Sequence, residues 1–232
     1  MTPGADRFAP LPASPTDGRT ARRLVSRERI ENAATMLFAE RGYTDTSLDQ
    51  IAELAGVSKG TIFYNYANKA QLFEQLFMGA VTSLAADICD ARDGLTGWAA
   101  FERATQRVIE RVDEHPAPAL IVINELFRSG RPWAAMLVRA RDVLIEPLVE
   151  IMEEVSAERV AAQGGGPLMP HEHFTNLAMS VLGALVVSTL DRSAFSPERS
   201  IGDIHHVLIT SVSGLRNGMG AEHHAPGGGH RS

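Results

Sequence analysis

The chain has 232 residues, 44% hydrophobic and 22% charged, with a net charge of −6. That is enough for one large or two small domains, and too acidic for a protein that coats nucleic acid along its whole length. The single cysteine, Cys89, excludes an intrachain disulfide and a cysteine-rich metal site, which fits a reducing cytoplasm. No apolar run reaches the roughly 18–20 residues that span a bilayer, and the opening MTPGADRFAPLPASPTDGR lacks the apolar stretch of a signal peptide, so no membrane partner is expected.

In chain order, residues 1–20 are rich in proline and read as a disordered extension. Charge is uneven: residues 1–70 hold nine Lys/Arg and eight Asp/Glu, whereas residues 71–232 hold thirteen and twenty. Within the first part, RTARRLVSRER (19–29) holds five arginines against one glutamate, a basic start on an acidic chain. Ile30, Ala33, Ala34, Leu37 and Phe38 then recur at i, i+3, i+4, i+7 and i+8, one face of a first helix that Gly42 ends. Ser47 and Gln50 form a capping-box pattern ahead of a second, short helix with Leu48, Ile51, Ala52 and Ala55 inward. Gly56 closes it and Ser58 opens a third. A tight glycine turn between two short helices is the helix-turn-helix pattern.

Two lysines in this region are oddly placed. Lys59 follows the N-cap residue Ser58, and Lys69 follows the N-cap residue Asn68. Each puts a cation at the positive end of a helix dipole, unfavourable by roughly 0.3–1 kcal/mol when exposed. An anion bound against both ends accounts for the pair.

Long helical patterns follow over 69–91, 97–114, 116–129, 132–160, 170–191 and 197–215. Pro147 predicts a kink in the fourth of these, and Ser196 with Pro197 predicts the start of the last. No strand pattern is present, and residues 217–232 read as a disordered tail. The expected fold is all-α with about nine helices. The pairs His171/His173, His205/His206 and His223/His224 lack a cysteine or acidic partner at ligand spacing, so no metal or cofactor is expected. No nucleophile, phosphate-loop or metalloprotease motif points to catalysis.

In a helix-turn-helix the second helix of the pair enters the major groove. Lys59, Gly60 and Thr61 then lie nearest the groove floor, Lys59 as a donor to a guanine edge and Gly60 as the point of close backbone approach. Tyr64 and Asn65 face phosphates or bases, and Lys69 with the amides of the fourth helix grips a phosphate. Arg22, Arg23 and Arg27 either follow the DNA or merely solubilise the first turn.

TSLDQIAELAGVSKGTIFYNYANKAQLF (46–73) resembles the DNA-binding segment of TetR-family transcriptional regulators. Thr46, Ile51-Ala52, Ala55-Gly56-Val57-Ser58, Gly60-Thr61, Ile62-Phe63, Tyr66 and Asn68-Lys69 fall at that family's spacing without a gap. Phe63 departs from it: a tyrosine is usual there, and Tyr64 is the neighbouring hydroxyl that replaces it. The resemblance adds Thr46, Ser47 and Ser58 to the expected DNA contacts. It implies a DNA-binding domain over 21–68 and a helical ligand-binding and dimerisation domain over 69–216.

It further implies a homodimer on a near-palindromic operator, joined through the last two helices by Leu177, Val181, Gly183, Ala184, Leu185, Ile204, Leu208 and Val212. A pocket for a lipophilic effector is implied among Trp98, Phe101, Val108, Leu120, Asn124, Phe127, Trp133, Met136 and Leu137. The implied function is a cytoplasmic repressor released from double-stranded DNA by that effector. An activator or a ligand-independent repressor is the alternative within this class. An all-helical carrier or enzyme with an incidental helix-turn-helix is the alternative outside it.

Overall fold

The computed structural model describes residues 15–126 and 134–213. Among these there are nine α-helices and no strand: α1 (Pro15–Arg41), α2 (Leu48–Ala55), α3 (Lys59–Asn65), α4 (Lys69–Ala91), α5 (Gly97–Glu114), α6 (Pro116–Leu126), α7 (Ala134–Ala162), α8 (His171–Phe195) and α9 (Ile201–Val212). They form two compact units. The first comprises the residues up to Phe77 with Leu120–Trp133, and the second comprises Met78–Ala119 with the residues from Ala134 onward.

The first unit is built on the expected face of α1. Ile30, Ala33, Ala34, Leu37 and Phe38 are buried, as are Ile51, Ala52 and Ala55 of α2 and Ile62 of α3. Phe73 of α4 packs edge-on against Phe38 (centroids 5.3 Å) and Tyr43 (5.1 Å), and Phe77 stacks beyond it. Removing such large side chains from water stabilises by about 1.5–3 kcal/mol each, so a few residues hold these short helices together. In the second unit α5, α7, α8 and α9 share a core that includes Phe101, Val108, Leu148, Met152, Phe174, Leu185 and Ile204.

Several boundaries differ from the sequence expectation. α1 begins at Pro15, so residues 15–20 are helical rather than disordered. Proline suits the start of a helix. α9 begins at Ile201, because Ser200 rather than Ser196 caps it: the Ser200 hydroxyl accepts the Asp203 amide at 3.0 Å. Ser196 instead closes a turn, its carbonyl accepting the Arg199 amide. α7, in contrast, is the single helix that the 132–160 pattern implied, with Pro147 inside it. α4 and α8 each hold a window long and apolar enough to cross a membrane by length and composition, 33% of it buried, which the count of uninterrupted apolar residues had missed. The expected 217–232 tail lies outside the described residues.

Candidate nucleic-acid interface

The helix-turn-helix is set by local hydrogen bonds. Ser47 caps α2 by accepting the Gln50 amide at 3.2 Å, while the Gln50 carboxamide accepts the Ser47 amide at 2.8 Å. α2 ends on Gly56, whose backbone is left-handed at φ 62° and ψ 41°. There the Gly56 amide donates to Glu53 and the Val57 amide to Ala52, closing the last carbonyls of the helix. Ser58 then caps α3, accepting the Thr61 amide at 3.2 Å.

α3 turns Ile62 into the core, and Tyr66 just beyond it is likewise buried. Ser58, Lys59, Gly60, Phe63 and Tyr64 are exposed. Tyr64 is 70% exposed and Phe63 50%. Phe63 was absent from the expected contacts, yet it lies one turn beyond Lys59 on the outward face, where an apolar ring can meet a thymine methyl. Its lack of a hydroxyl hid it; an aromatic side chain on a helix this short was the available signal.

Both lysines have protein partners. Lys59 Nζ lies 2.8 Å from the Asp49 carboxylate, with both side chains more than half exposed. Such a surface pair is worth at most about 1 kcal/mol, so the ammonium is readily released to another acceptor. Lys69 is different. Its Nζ donates to the carbonyls of Thr46 (2.7 Å), Tyr43 (2.8 Å) and Thr44 (3.4 Å) and lies 4.2 Å from the centre of the Tyr43 ring. Burial holds its pKa below the ordinary lysine value, against the opposing pull of Asp45. The sequence placed this head on a phosphate. The structure places it in a cage of carbonyls that closes the turn between α1 and α2.

Other expected contacts are corrected in the same way. Thr46 is 1% exposed, and its hydroxyl is 2.9 Å from the Gly42 carbonyl and 3.2 Å from that of Leu37, so it holds the turn and does not reach outward. Asn65 is half-buried, its amide folded back on the Thr61 carbonyl at 2.8 Å. Arg27 donates from Nε to Glu31 at 2.8 Å, and the buried Tyr66 hydroxyl donates to the same carboxylate oxygen at 2.7 Å. The Glu31 hydrogen bond raises the Arg27 pKa, and burial raises that of Tyr66. The Tyr66–Glu31 bond thereby ties the end of α3 to α1, with the Arg27 guanidinium 5.9 Å from the Tyr66 ring. Arg23 is exposed, with its guanidinium 5.4 Å above the Tyr64 ring. The Arg22 side chain lies outside the described residues.

Residues 30–76, which hold both helix caps, the Gly56 turn and both lysines, match the profile of the family described as "Bacterial regulatory proteins, tetR family". Over this span the chain is similar to TetR-family regulators. The transposon Tn10 TetC protein of Escherichia coli is 29% identical over 85 residues, covering 37% of this chain and 43% of that one. The HTH-type transcriptional repressor KstR2 of Rhodococcus jostii (strain RHA1) is 31% identical over 129 residues, covering 52% of this chain and 61% of the repressor. Each match spans less than two thirds of the relative's own length. The structure of the fatty acid degradation regulator FadR from Bacillus halodurans has the same fold, with a TM-score of 0.64 at 18% identity, covering 78% of this chain and 97% of that one.

The remaining TetR-family expectations fall unevenly. Of the effector-pocket residues, Phe101 and Val108 are core residues of the second unit, Trp98 packs against that core, Met136 is buried and Leu137 half-buried. Leu120 and Asn124 belong to the first unit. Asn124 donates to the Ala39 carbonyl at 3.1 Å, and the buried Glu125 carboxylate accepts the Tyr43 amide at 3.2 Å, so both polar groups of α6 bind the end of α1 and its turn. Phe127 and Trp133 lie outside the described residues. Of the dimer residues, Val181, Leu185 and Ile204 are buried within their own chain, Leu177, Leu208 and Val212 pack beside that core, Ala184 is half-buried, and Gly183 is exposed.

Proposed function

We propose that the chain is a dimeric, ligand-responsive transcriptional repressor of the cytoplasm that holds a near-palindromic operator through α3. The observation that carries this reading is the division of α3: one side is locked by Ile62, and the other presents Lys59, Gly60, Phe63 and Tyr64 at the tip of a capped glycine turn. Lys59 supplies a donor to guanine, Phe63 an apolar contact to thymine and Tyr64 a hydroxyl for phosphate. A palindrome selected from random duplex and titrated by fluorescence anisotropy at two salt concentrations tests it. Binding should be specific and steeply salt-dependent; equal affinity for scrambled duplex would favour a helical carrier or enzyme.

Gly60 offers a sharper test. A Cβ added there meets only the Ser58 hydroxyl, at 3.7 Å, so Gly60→Ala leaves the fold intact. Helix propensity even favours the variant, by up to about 0.5–1 kcal/mol. DNA affinity should nevertheless fall about tenfold or more, because the methyl group blocks close backbone approach to the bases, where one good contact is worth about 1–3 kcal/mol. Parental affinity would remove residue 60 from the interface.

Dimerisation is supported by the apolar surface that α8 and α9 leave uncovered. Met179, Gly183 and Val187 recur at four-residue spacing on the outer side of α8, and Val207 of α9 is 62% exposed. This face replaces Val181, Leu185 and Ile204 as the proposed interface. Nothing lies within 4 Å of a Cβ built at Gly183, so Gly183→Arg spares the protomer. It should halve the mass seen in sedimentation and weaken operator binding; a variant that stays dimeric would exclude this face. A lipophilic effector is supported by the apolar character of the second unit's helices and by the fold shared with a protein named as a fatty acid degradation regulator.

A further inference from the structure

Lys59 needs an anion against the start of α3, and the chain supplies one itself. Asp49, in the first turn of α2, holds the Lys59 ammonium with both carboxylate oxygens, each 2.8 Å from Nζ, across 10 residues of sequence. The positive end of the α2 dipole favours a carboxylate at this position. Both side chains face solvent, 51% exposed for Lys59 and 67% for Asp49. The caps that fix the two backbones lie next to them, Ser47 with Gln50 on α2 and Ser58 with Thr61 on α3. The ion pair therefore has a defined position beside the exposed Gly60 and Phe63.

Asp49 is out of place if affinity alone is required. In a helix-turn-helix the first helix crosses the DNA backbone, so a carboxylate in its first turn is carried toward phosphates and weakens binding to every sequence. It also cancels the charge of Lys59. A free lysine is drawn to any phosphate and releases a counterion there; the ion pair has no net charge to offer. What the pair retains is donors. An ammonium has three N–H groups, and neutral acceptors can take one or two of them while the carboxylate keeps the remainder. The O6 and N7 atoms of guanine are such acceptors. A phosphate oxygen is not, because sharing the ammonium with it crowds two anions together.

We propose that Asp49 is a specificity-determining residue, a positioning group that acts through Lys59. It makes the lysine a reader of guanine by removing its attraction for phosphate. This rests on the DNA-binding reading above and deepens it. Asp49 gives up affinity on all DNA and gains discrimination between the operator and other sequences. The exposed pair is weak, so one N–H turns to guanine without the carboxylate having to leave.

The test uses the full-length chain with the selected palindrome, single-base variants of it and a random duplex, each titrated over a range of salt. Lys59→Ala locates the guanine, as the position whose preference it flattens. Asp49→Asn keeps the size of the side chain and frees the ammonium. It should bind random duplex more tightly than the parent, and its slope of log affinity against log salt should steepen by about 0.9 for each half-site engaged. Preference at the Lys59 position should fall about tenfold. Asp49→Glu keeps a carboxylate within reach of Lys59 and should restore both the parental slope and the parental preference. If Asp49→Asn loses affinity equally on palindrome and random duplex at the parental slope, Asp49 is merely structural. If it changes neither slope nor preference, Asp49 takes no part in reading the base. Either result overturns the proposal and leaves the DNA-binding reading intact, whereas a parent with no preferred duplex would sink both.

Discussion

Lys69→Ala should lower the stability of the first unit by about 2–4 kcal/mol, measured by urea titration with hydrogen exchange at the α1–α2 turn. The size follows from what the ammonium holds. Its hydrogen bonds to Tyr43, Thr44 and Thr46 carry a charge, and charged hydrogen bonds contribute about 1.5–3 kcal/mol each, less when they share one donor group. Alanine leaves those carbonyls without their donor and removes the cation from the Tyr43 ring. The damage reaches DNA binding indirectly, because the same turn carries Thr46 and leads into the Ser47 cap of α2. A phosphate-binding lysine behaves otherwise: its loss keeps stability and lowers the salt slope by about 0.9. Parental stability with that fall in slope would return Lys69 to the phosphate. The opening amides of α4 remain available to an anion in either case, since the Asn68 side chain accepts only the Gln71 amide, at 2.8 Å.

What the sequence made legible was local. The caps Ser47 and Ser58, the glycine at residue 56 and the apolar stripe of α1 depend on residues within a turn or two of one another, and the structure has them as expected. Helix α5 was legible for the same reason, a clean apolar stripe of period 3.6. The partners of Lys69 lie 23 to 26 residues away, and Glu125 meets the Tyr43 amide across 82 residues. No spacing rule reaches that far, so Lys69 was read onto a phosphate, and Asn124, whose partner Ala39 lies 85 residues away, into an effector pocket. The α8 stripe failed differently. This helix is apolar around much of its circumference, so periodicity could not separate the side facing its own core from the side left open, and Val181 and Leu185 were placed outward. The start of α1 was missed because a proline-rich segment reads as disorder, whereas Pro15 begins a helix.

Gly56→Val should destabilise the first unit by about 2–3 kcal/mol and abolish operator binding. At φ 62° a residue with a Cβ is disfavoured by roughly 1–2 kcal/mol, and a β-branched one by more. The added Cβ also meets the Arg29 guanidinium, which donates to the Gly56 carbonyl, so that bond must be given up as the side chain moves away. Either the strain is carried by the folded state, or the backbone leaves the left-handed region. In the second case the Val57 amide loses the Ala52 carbonyl, and Ser58 moves out of register to cap α3. DNA binding is the more sensitive readout, since a change of direction at the turn moves Lys59, Gly60 and Phe63 together. A graded series separates backbone strain from bulk. Asparagine tolerates the left-handed region, so Gly56→Asn should be mildest, alanine intermediate and valine worst in both melting temperature and affinity. Equal losses for all three would point to side-chain contact with Arg29 as the cause, and parental behaviour of the valine variant would mean that residue 56 does not set the angle between α2 and α3.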